Sequence, residues 1–273
     1  MSTTFWNSFS IILNVLFDEQ TDPSVYDNEE FRIASKNGNI DVVDRLLQDM
    51  RVDPSANDND AFQWASENGH VAVVDRLLQD CRVDPSDDNN YAIQWASENG
   101  HVAVVNRLLQ DCRVDPTAND NYAIRESSAN GHIAVVDRLL QDTRVDPSAD
   151  NNDTICVASR NGHAAVVDRL LQDLMVDPSA CDNYAIQMAY GNGHITVVDR
   201  LLQDLMVDPS ACDNYAIQMA SGNGHITVVD RLLQDARVDP SANDNEAIRM
   251  ASQYGHIAVV NRLLQDGRCS LPK

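Results

Sequence analysis

The chain has 273 residues and carries 42 Asp and Glu against 20 Lys and Arg, a formal charge of −22 at pH 7. Such an acidic chain is poorly suited to nucleic-acid backbones and anionic membrane surfaces, which select for Lys and Arg. Its longest apolar run, residues 11–17, is interrupted by Asn14 and is too short to span a bilayer. We therefore expect a protein partner with a basic or neutral surface, no nucleic acid and no membrane.

The first predicted element is a helix inside residues 1–24. Its apolar residues follow the spacing of the Val-Val and Leu-Leu pairs that recur downstream, so the segment is interpreted as a half-repeat cap. Additional apolar side chains precede the helix or stand where the later helices are polar: Phe5, Trp6, Leu13 and Phe17. They either fold over the end of the chain, which predicts a monomer, or form a patch for self-association.

Beyond this segment the sequence repeats every 31 residues without insertion. The tetrapeptide Arg-Leu-Leu-Gln begins at positions 45, 76, 107, 138, 169, 200, 231 and 262, and the histidines follow the same interval. One such unit cannot bury an apolar helix face alone, but stacked units cover one another. We predict an elongated stack without a central core. The predicted repeats are 25–55, 56–86, 87–117, 118–148, 149–179, 180–210, 211–241 and 242–273.

Each repeat contains two predicted helices joined by a tight turn. Residues 102–109 place Val and Leu on one arc of a second helix, and residues 91–97 carry the narrow apolar stripe of a short first helix. Gly100 is expected to end that first helix in a left-handed conformation. Asp120 or Asn121 supplies capping chemistry for the next first helix. The segment RVDPSAND is predicted to be extended, because proline disfavours helical angles in the residue before it.

The motif NGHVAVVDRLL at residues 68–78 resembles the ankyrin repeat, in which G-H-x-x-V-V-x-x-L-L precedes a loop carrying V-N or V-D. The resemblance recurs eight times and covers almost the whole chain. YAIQ at 91–94 replaces the family's T-P-L-H, and each repeat is shorter than the family's usual length of about 33 residues. The resemblance implies an all-α, ankyrin-type solenoid of paired antiparallel helices with short or absent β-hairpins.

The histidines invite a catalytic or metal-binding interpretation. Ligands of one metal must converge within a few ångströms, whereas side chains that occur once per repeat form a ladder with steps of roughly 10 Å. The resemblance implies that these histidines brace neighbouring repeats. We expect no enzyme, no metal and no cofactor, and Asp75, replaced by Asn106 one repeat later, is not expected to be catalytic. The histidines are His70, His101, His132, His163, His194, His225 and His256.

Residues that differ between repeats are the candidates for binding. The resemblance implies that a partner contacts the concave face, which the first helices and the loops form. Aromatic residues, Met and Arg anchor many interfaces, although Trp and Met at these positions have an alternative role in packing between repeats. The predicted binding residues are Tyr91, Trp95, Glu98, Tyr122, Arg125, Glu126, Asp153, Arg160, Tyr184, Met188, Tyr215 and Met219.

Repeats 118–148 and 149–179 depart most from the common pattern. Glu126 stands in an apolar column, and Arg160 stands where other repeats have Lys, Glu, Ala, Gly or Gln. Either this part of the stack contacts the partner, or it has drifted and is less stable than its neighbours.

The six cysteines include no CxxC motif. Cys81 and Cys112 occupy equivalent places in adjacent repeats, as do Cys181 and Cys212, and the spacing of stacked helices exceeds the reach of a disulfide. Free thiols favour a reducing, cytoplasmic location.

The sequence thus favours a non-catalytic protein-interaction scaffold that binds through its concave face. The alternative is a structural or adaptor subunit that docks or self-associates through the apolar N-terminal helix.

Overall fold

The computed structural model describes residues 28–270, which form sixteen helices and no strand. The first helices are α1 (Glu29–Lys36), α3 (Ala56–Glu67), α5 (Asp87–Glu98), α7 (Ala118–Ala129), α9 (Ala149–Arg160), α11 (Ala180–Asn192), α13 (Ala211–Gly222) and α15 (Ala242–Gln253). The second helices are α2 (Ile40–Leu46), α4 (Val71–Leu77), α6 (Val102–Leu108), α8 (Ile133–Leu139), α10 (Ala164–Leu170), α12 (Ile195–Leu201), α14 (Ile226–Leu233) and α16 (Ile257–Asp266). The prediction of an all-α solenoid of paired helices is confirmed.

Neighbouring repeats stack like on like. Each first helix contacts the first helices beside it, and each second helix contacts the second helices beside it. The apolar arc of α6 is fully buried between its neighbours at Val104, Val105 and Leu108. The core therefore runs along the stack as a line of small apolar layers, and each layer is closed by the next repeat.

The start of most first helices differs from the predicted extended turn. Asn57, Asp58 and Asn59, inside the bounds of α3, have φ angles of 54°, 56° and 61°, so they form a single left-handed turn and the right-handed helix follows them. Asn and Asp tolerate this region better than other residues with a Cβ atom, which explains their enrichment in these turns. Three consecutive residues with positive φ also lie at the start of α5, α7, α9, α11, α13 and α15.

The last asparagine of each left-handed turn links two repeats. The Oδ1 atom of Asn121 accepts a hydrogen bond of 3.0 Å from the backbone N–H of Asp146, in the following loop. The expected capping role of this side chain is therefore wrong, because its acceptor is used between repeats and not on its own helix. Equivalent bonds are made by Asn28, Asn59, Asn90, Asn152, Asn183, Asn214 and Asn245.

An arginine in most turns after the second helices makes another link. Arg113 pairs with Asp111 in its own turn, and its Nη1 donates to the carbonyl of Val83 in the preceding repeat at 3.0 Å. We call a residue at this place a turn arginine. The same bond to the preceding valine is made by Arg82, Arg144, Arg237 and Arg268.

The predicted N-terminal cap, residues 1–24, and its apolar side chains lie outside the described residues, so that interpretation stays a prediction. No helix within residues 28–270 is both long and apolar enough to cross a membrane.

Candidate functional site

The histidines lie at the joints between repeats. The Nε2 atom of His163, directly before α10, is 2.9 Å from the carbonyl oxygen of Ala129 at the end of α7. A carbonyl only accepts, so in this contact Nε2 carries a proton and donates it. The same contact is made by His70, His194, His225 and His256, to the carbonyls of Lys36, Arg160, Gly191 and Gly222.

Each histidine ring also lies against a glycine of the preceding repeat. Gly131 ends its helix with φ of 76°, and a Cβ atom built there would lie 2.5 Å from Nδ1 of His163. Glycine is required for both reasons, the left-handed conformation and the ring above it. The contact recurs at the joints of His101 and His132 with Gly69 and Gly100. Every ring thus occupies its own joint, and the described residues contain no His, Cys, Asp and Glu cluster suited to a metal ion.

Asp75 takes part in an ion pair between second helices. Its Oδ1 accepts a hydrogen bond from Nε of Arg107, one repeat later. Analogous pairs join the other adjacent second helices, except where Asn106 replaces the aspartate. Because the carboxylates are about half exposed, each pair contributes only about 0–1 kcal/mol.

The twelve predicted binding residues lie on five consecutive first helices, and none of them is buried. We call this set the first-helix surface. Its members are Tyr91, Trp95 and Glu98 on α5, Tyr122, Arg125 and Glu126 on α7, Asp153 and Arg160 on α9, Tyr184 and Met188 on α11, and Tyr215 and Met219 on α13.

Neighbouring members of the first-helix surface contact one another. The rings of Tyr91 and Trp95 have centroids 5.3 Å apart at an angle of 33°. The hydroxyl of Tyr122 donates to Oε2 of Glu98 at 2.7 Å, across the boundary between two repeats. The guanidinium of Arg125 lies 5.5 Å from the centre of the Tyr122 ring. The surface is thus a connected strip from α5 to α7.

Arg125 accounts for the unusual Glu126. Its Nε lies 3.4 Å from Oε1 of Glu126 and 3.7 Å from Oδ2 of Asp153 on the next first helix. A charge in a column that is otherwise mostly apolar therefore has an opposite charge beside it. The contacts of Arg125 extend the strip from α7 to α9.

The sequence interpretation missed the role of a glutamine that recurs at one position of the first helices. In four repeats the side-chain amide donates to a carbonyl of the left-handed turn, as Gln94 does to Asn89 at 2.6 Å. The same bond is made by Gln63, Gln187 and Gln218. In its own repeat, Arg125 stands at this position in place of glutamine. Its guanidinium makes the ion pairs with Glu126 and Asp153 described above. Cys156 occupies this position in the next repeat, where burial raises the pKa of its thiol to about 12 and leaves it protonated.

The tyrosines of the strip stay neutral hydrogen-bond donors. Burial, followed by the hydrogen bond to Glu98, raises the pKa of Tyr122 to about 12. Burial also raises the pKa of Tyr91, and the nearby carboxylates of Glu67 and Asp88 add to the effect. The strip therefore presents phenol groups within a negative field.

A family model described as ankyrin repeats, in three copies, matches residues 31–120 and 184–271. The chain belongs to the ankyrin repeat family. Ankyrin repeats are generally protein–protein interaction modules and are typically not catalytic. No curated protein matches this chain.

The family match omits residues 121–183, which contain most of the two repeats that depart from the common pattern. These repeats nevertheless keep the ankyrin helices, the left-handed turns and the joint of Gly131 with His163. Their departures thus lie in side chains and leave the paired-helix backbone in place.

Packing explains part of the Trp and Met column of the ankyrin first helices. The ring of Trp64 lies 5.4 Å from the guanidinium carbon of Arg32 and 5.0 Å from Nζ of Lys36, both in the preceding repeat. These cations lie against the Trp64 ring, so the side chain packs between repeats. In later repeats the side chains of Tyr184 and Tyr215 are accessible, at 36% and 41% exposed.

Proposed function

We propose that this ankyrin repeat protein is a non-catalytic scaffold that binds another protein through the first-helix surface, on the concave face of the solenoid. The observation that carries the proposal is that the recurring residues and the variable residues have different surroundings. The recurring Asn, Gly and His are used in contacts between repeats, whereas the twelve variable residues are all at least partly exposed.

The side chains of the first-helix surface indicate the kind of partner. Tyrosine, Met and Arg are enriched at interfaces because they combine a large apolar contact with a polar or polarisable group. Tyr91 lies among carboxylates, and the chain as a whole carries a charge of −22. A protein with a basic or neutral surface that offers acceptors to the hydroxyls of Tyr91, Tyr184 and Tyr215 fits this surface best, because the hydroxyl of Tyr122 already donates to Glu98.

The test is a quantitative capture experiment with matched variants. One variant combines Tyr184→Ser, Tyr215→Ser and Arg160→Glu, three exposed changes on the first helices. The control variant combines Thr196→Lys and Thr227→Lys, which are exposed on second helices. Proteins bound to each immobilised chain are identified and quantified by mass spectrometry.

The proposal expects at least one protein that the parent and the control capture equally and that the first-helix variant loses. Titration of that purified protein by calorimetry then gives its affinity for the three chains. If every captured protein is retained by the first-helix variant, this surface is not the binding site.

A further inference from the structure

Two adjacent turns lack the turn arginine. Where the other turns have arginine, residues 173–176 and 204–207 carry Met175 and Met206, each preceded by leucine. We call these two segments the Leu-Met turns. They directly follow α10 and α12, which are joined by the ion pair of Asp168 with Arg200, so the two turns are neighbours along the stack.

The substitution leaves two backbone carbonyls without an arginine donor. Val145 and Val176, the residues that a turn arginine at 175 or 206 would reach, are 6% and 9% exposed. The five valines whose carbonyls accept from a turn arginine are at most 1% exposed: Val52, Val83, Val114, Val207 and Val238. The carbonyl oxygens of Val145 and Val176 therefore have acceptor capacity that the other turns use internally.

The Leu-Met turns are also the most apolar part of the described turns. Leu174 and Leu205 are 103% and 98% exposed, and more than half of Met175 and Met206 is accessible. The turns on either side have threonine or alanine in place of the leucine, at Thr143 and Ala236, followed by arginine. Four large apolar side chains are thus grouped within two consecutive repeats, which is characteristic of an interaction surface.

Acidic groups accompany the apolar ones. Asp173 and Asp204 accept hydrogen bonds from the backbone N–H groups of Met175 and Met206 at 3.0 and 2.9 Å. In the other turns the equivalent carboxylate also pairs with the turn arginine, as Asp235 does with Arg237 at 2.7 Å. Neither Asp173 nor Asp204 has an ion pair among residues 28–270.

We infer that the Leu-Met turns form a second docking surface, whose occupant is a basic amphipathic segment of another protein. Its apolar side chains cover the two leucines and two methionines, and its Arg or Lys side chains pair with Asp173 and Asp204. An arginine of the partner can also donate to Val145 or Val176, as the turn arginine does in other repeats. Methionine suits such a surface because its flexible thioether adapts to different apolar groups.

Charge complementarity selects this occupant over a second copy of the chain. The two unpaired carboxylates require cations opposite them, whereas a second copy would bring its own Leu-Met turns with the same carboxylates. A charge of −22 on each chain adds to that repulsion.

Methionine-methyl NMR on the intact chain tests the inference. The probe is a synthetic amphipathic helix of Leu and Lys, with a scrambled peptide of equal composition as its control. The chain has seven methionines, so the signals are few and assignable by substitution. We expect the methyl signals of Met175 and Met206 to shift on titration, while those of Met188 and Met219, on the first-helix surface, stay in place.

A second experiment measures peptide binding after substitution of the Leu-Met turns. Leu174→Thr, Met175→Arg, Leu205→Ala and Met206→Arg convert both turns to sequences that neighbouring turns already have. We expect this variant to bind the amphipathic peptide at least about tenfold more weakly, as measured by fluorescence anisotropy. The charge-matched control adds two arginines elsewhere, Gln79→Arg and Gln110→Arg, and is expected to bind like the parent.

Three results with the peptide would overturn the inference. They are equal binding of the amphipathic and scrambled peptides, equal weakening by the charge-matched control, and methyl shifts confined to Met188 and Met219. A parent that dimerises in sedimentation experiments while the turn variant is monomeric would assign the surface to a second copy instead. The capture experiment on the first-helix surface uses different variants, so the failure of one proposal is distinguishable from the failure of the other.

Discussion

Residues 174–204 and 205–235 are two copies of one sequence that differ only at Tyr190 and Ser221. Their surroundings differ more than their sequences. Val176 in the first copy is 9% exposed and Val207 in the second is fully buried, because Met206 follows the first and Arg237 follows the second.

The surroundings of a repeat depend on the repeats beside it. The bonds of the Asn, the His and the turn arginine all cross to an adjacent unit. Identical sequences therefore acquire different burial and different free acceptors when their neighbours differ, as expected for a nearest-neighbour stack.

The largest expected effect concerns the one residue that distinguishes the copies. Tyr190 is fully buried, so Tyr190→Ala leaves a cavity and should lower the free energy of unfolding by about 3–5 kcal/mol. Ser221→Ala at the matched place removes only a buried hydroxyl that has no partner among the described residues and should change the free energy by less than about 1 kcal/mol. Urea unfolding followed by circular dichroism measures both.

A third variant separates the ring of Tyr190 from its hydroxyl. The hydroxyl is buried without a hydrogen-bond partner among residues 28–270, and burial raises the pKa of the phenol well above its usual value. Tyr190→Phe should therefore be neutral or stabilising. A loss as large as that of Tyr190→Ala would show that the hydroxyl, not the ring, is the stabilising group.

The joint between the copies gives the second prediction. Gly193 and Gly255 have φ angles of 77° and 76°, but a Cβ atom at Gly193 would lie 2.6 Å from Nδ1 of His225, whereas Gly255 has nothing within 4 Å. Each change to Ala should cost about 1–2 kcal/mol for the left-handed conformation. Gly193→Ala should cost about 1–3 kcal/mol more for overpacking. Equal losses for the two variants would show that the histidine ring moves aside freely.

Exchanging arginine and methionine in the following turns should reverse the difference between Val176 and Val207. Met206→Arg supplies a donor for the Val176 carbonyl and should raise the free energy of unfolding by about 0.5–1.5 kcal/mol. Arg237→Met removes the donor from Val207 and should lower it by a similar amount. Differential scanning calorimetry checks both, and an unchanged melting temperature in both variants would mean that the bond contributes nothing net.

The smallest effect is a pH dependence of the loss in unfolding free energy that Arg237→Met causes. Hydrogen bonds from Arg237 hold the pKa of Asp235 below its ordinary value of 3.8 in the folded chain. The stability that this adds is complete above pH 3.8 and is lost as the pH falls through the lowered pKa. The difference between parent and Arg237→Met should therefore be smaller at about pH 2 than at pH 7 in urea unfolding. A difference that is unchanged with pH would leave the hydrogen bond to Val207 as its cause.

Several features could be predicted because they follow from local periodicity. The 31-residue interval, the apolar arc of Val104, Val105 and Leu108, and the glycine that ends each first helix identify the paired-helix solenoid. The exposed columns of the first helices follow from the same register. The left-handed turn was missed, since Asn and Asp are equally typical of ordinary caps and loops.

The repeat length, the helix pairs and the positions that vary could be predicted, because they depend on residue spacing along one chain. The hydrogen-bond partner of each side chain became visible only in the folded stack. Asn121 bonds to the next loop and not to its own helix, and Met206 exposes a valine that Arg237 covers elsewhere. Such contacts join residues about one repeat apart, and stacking alone brings them together.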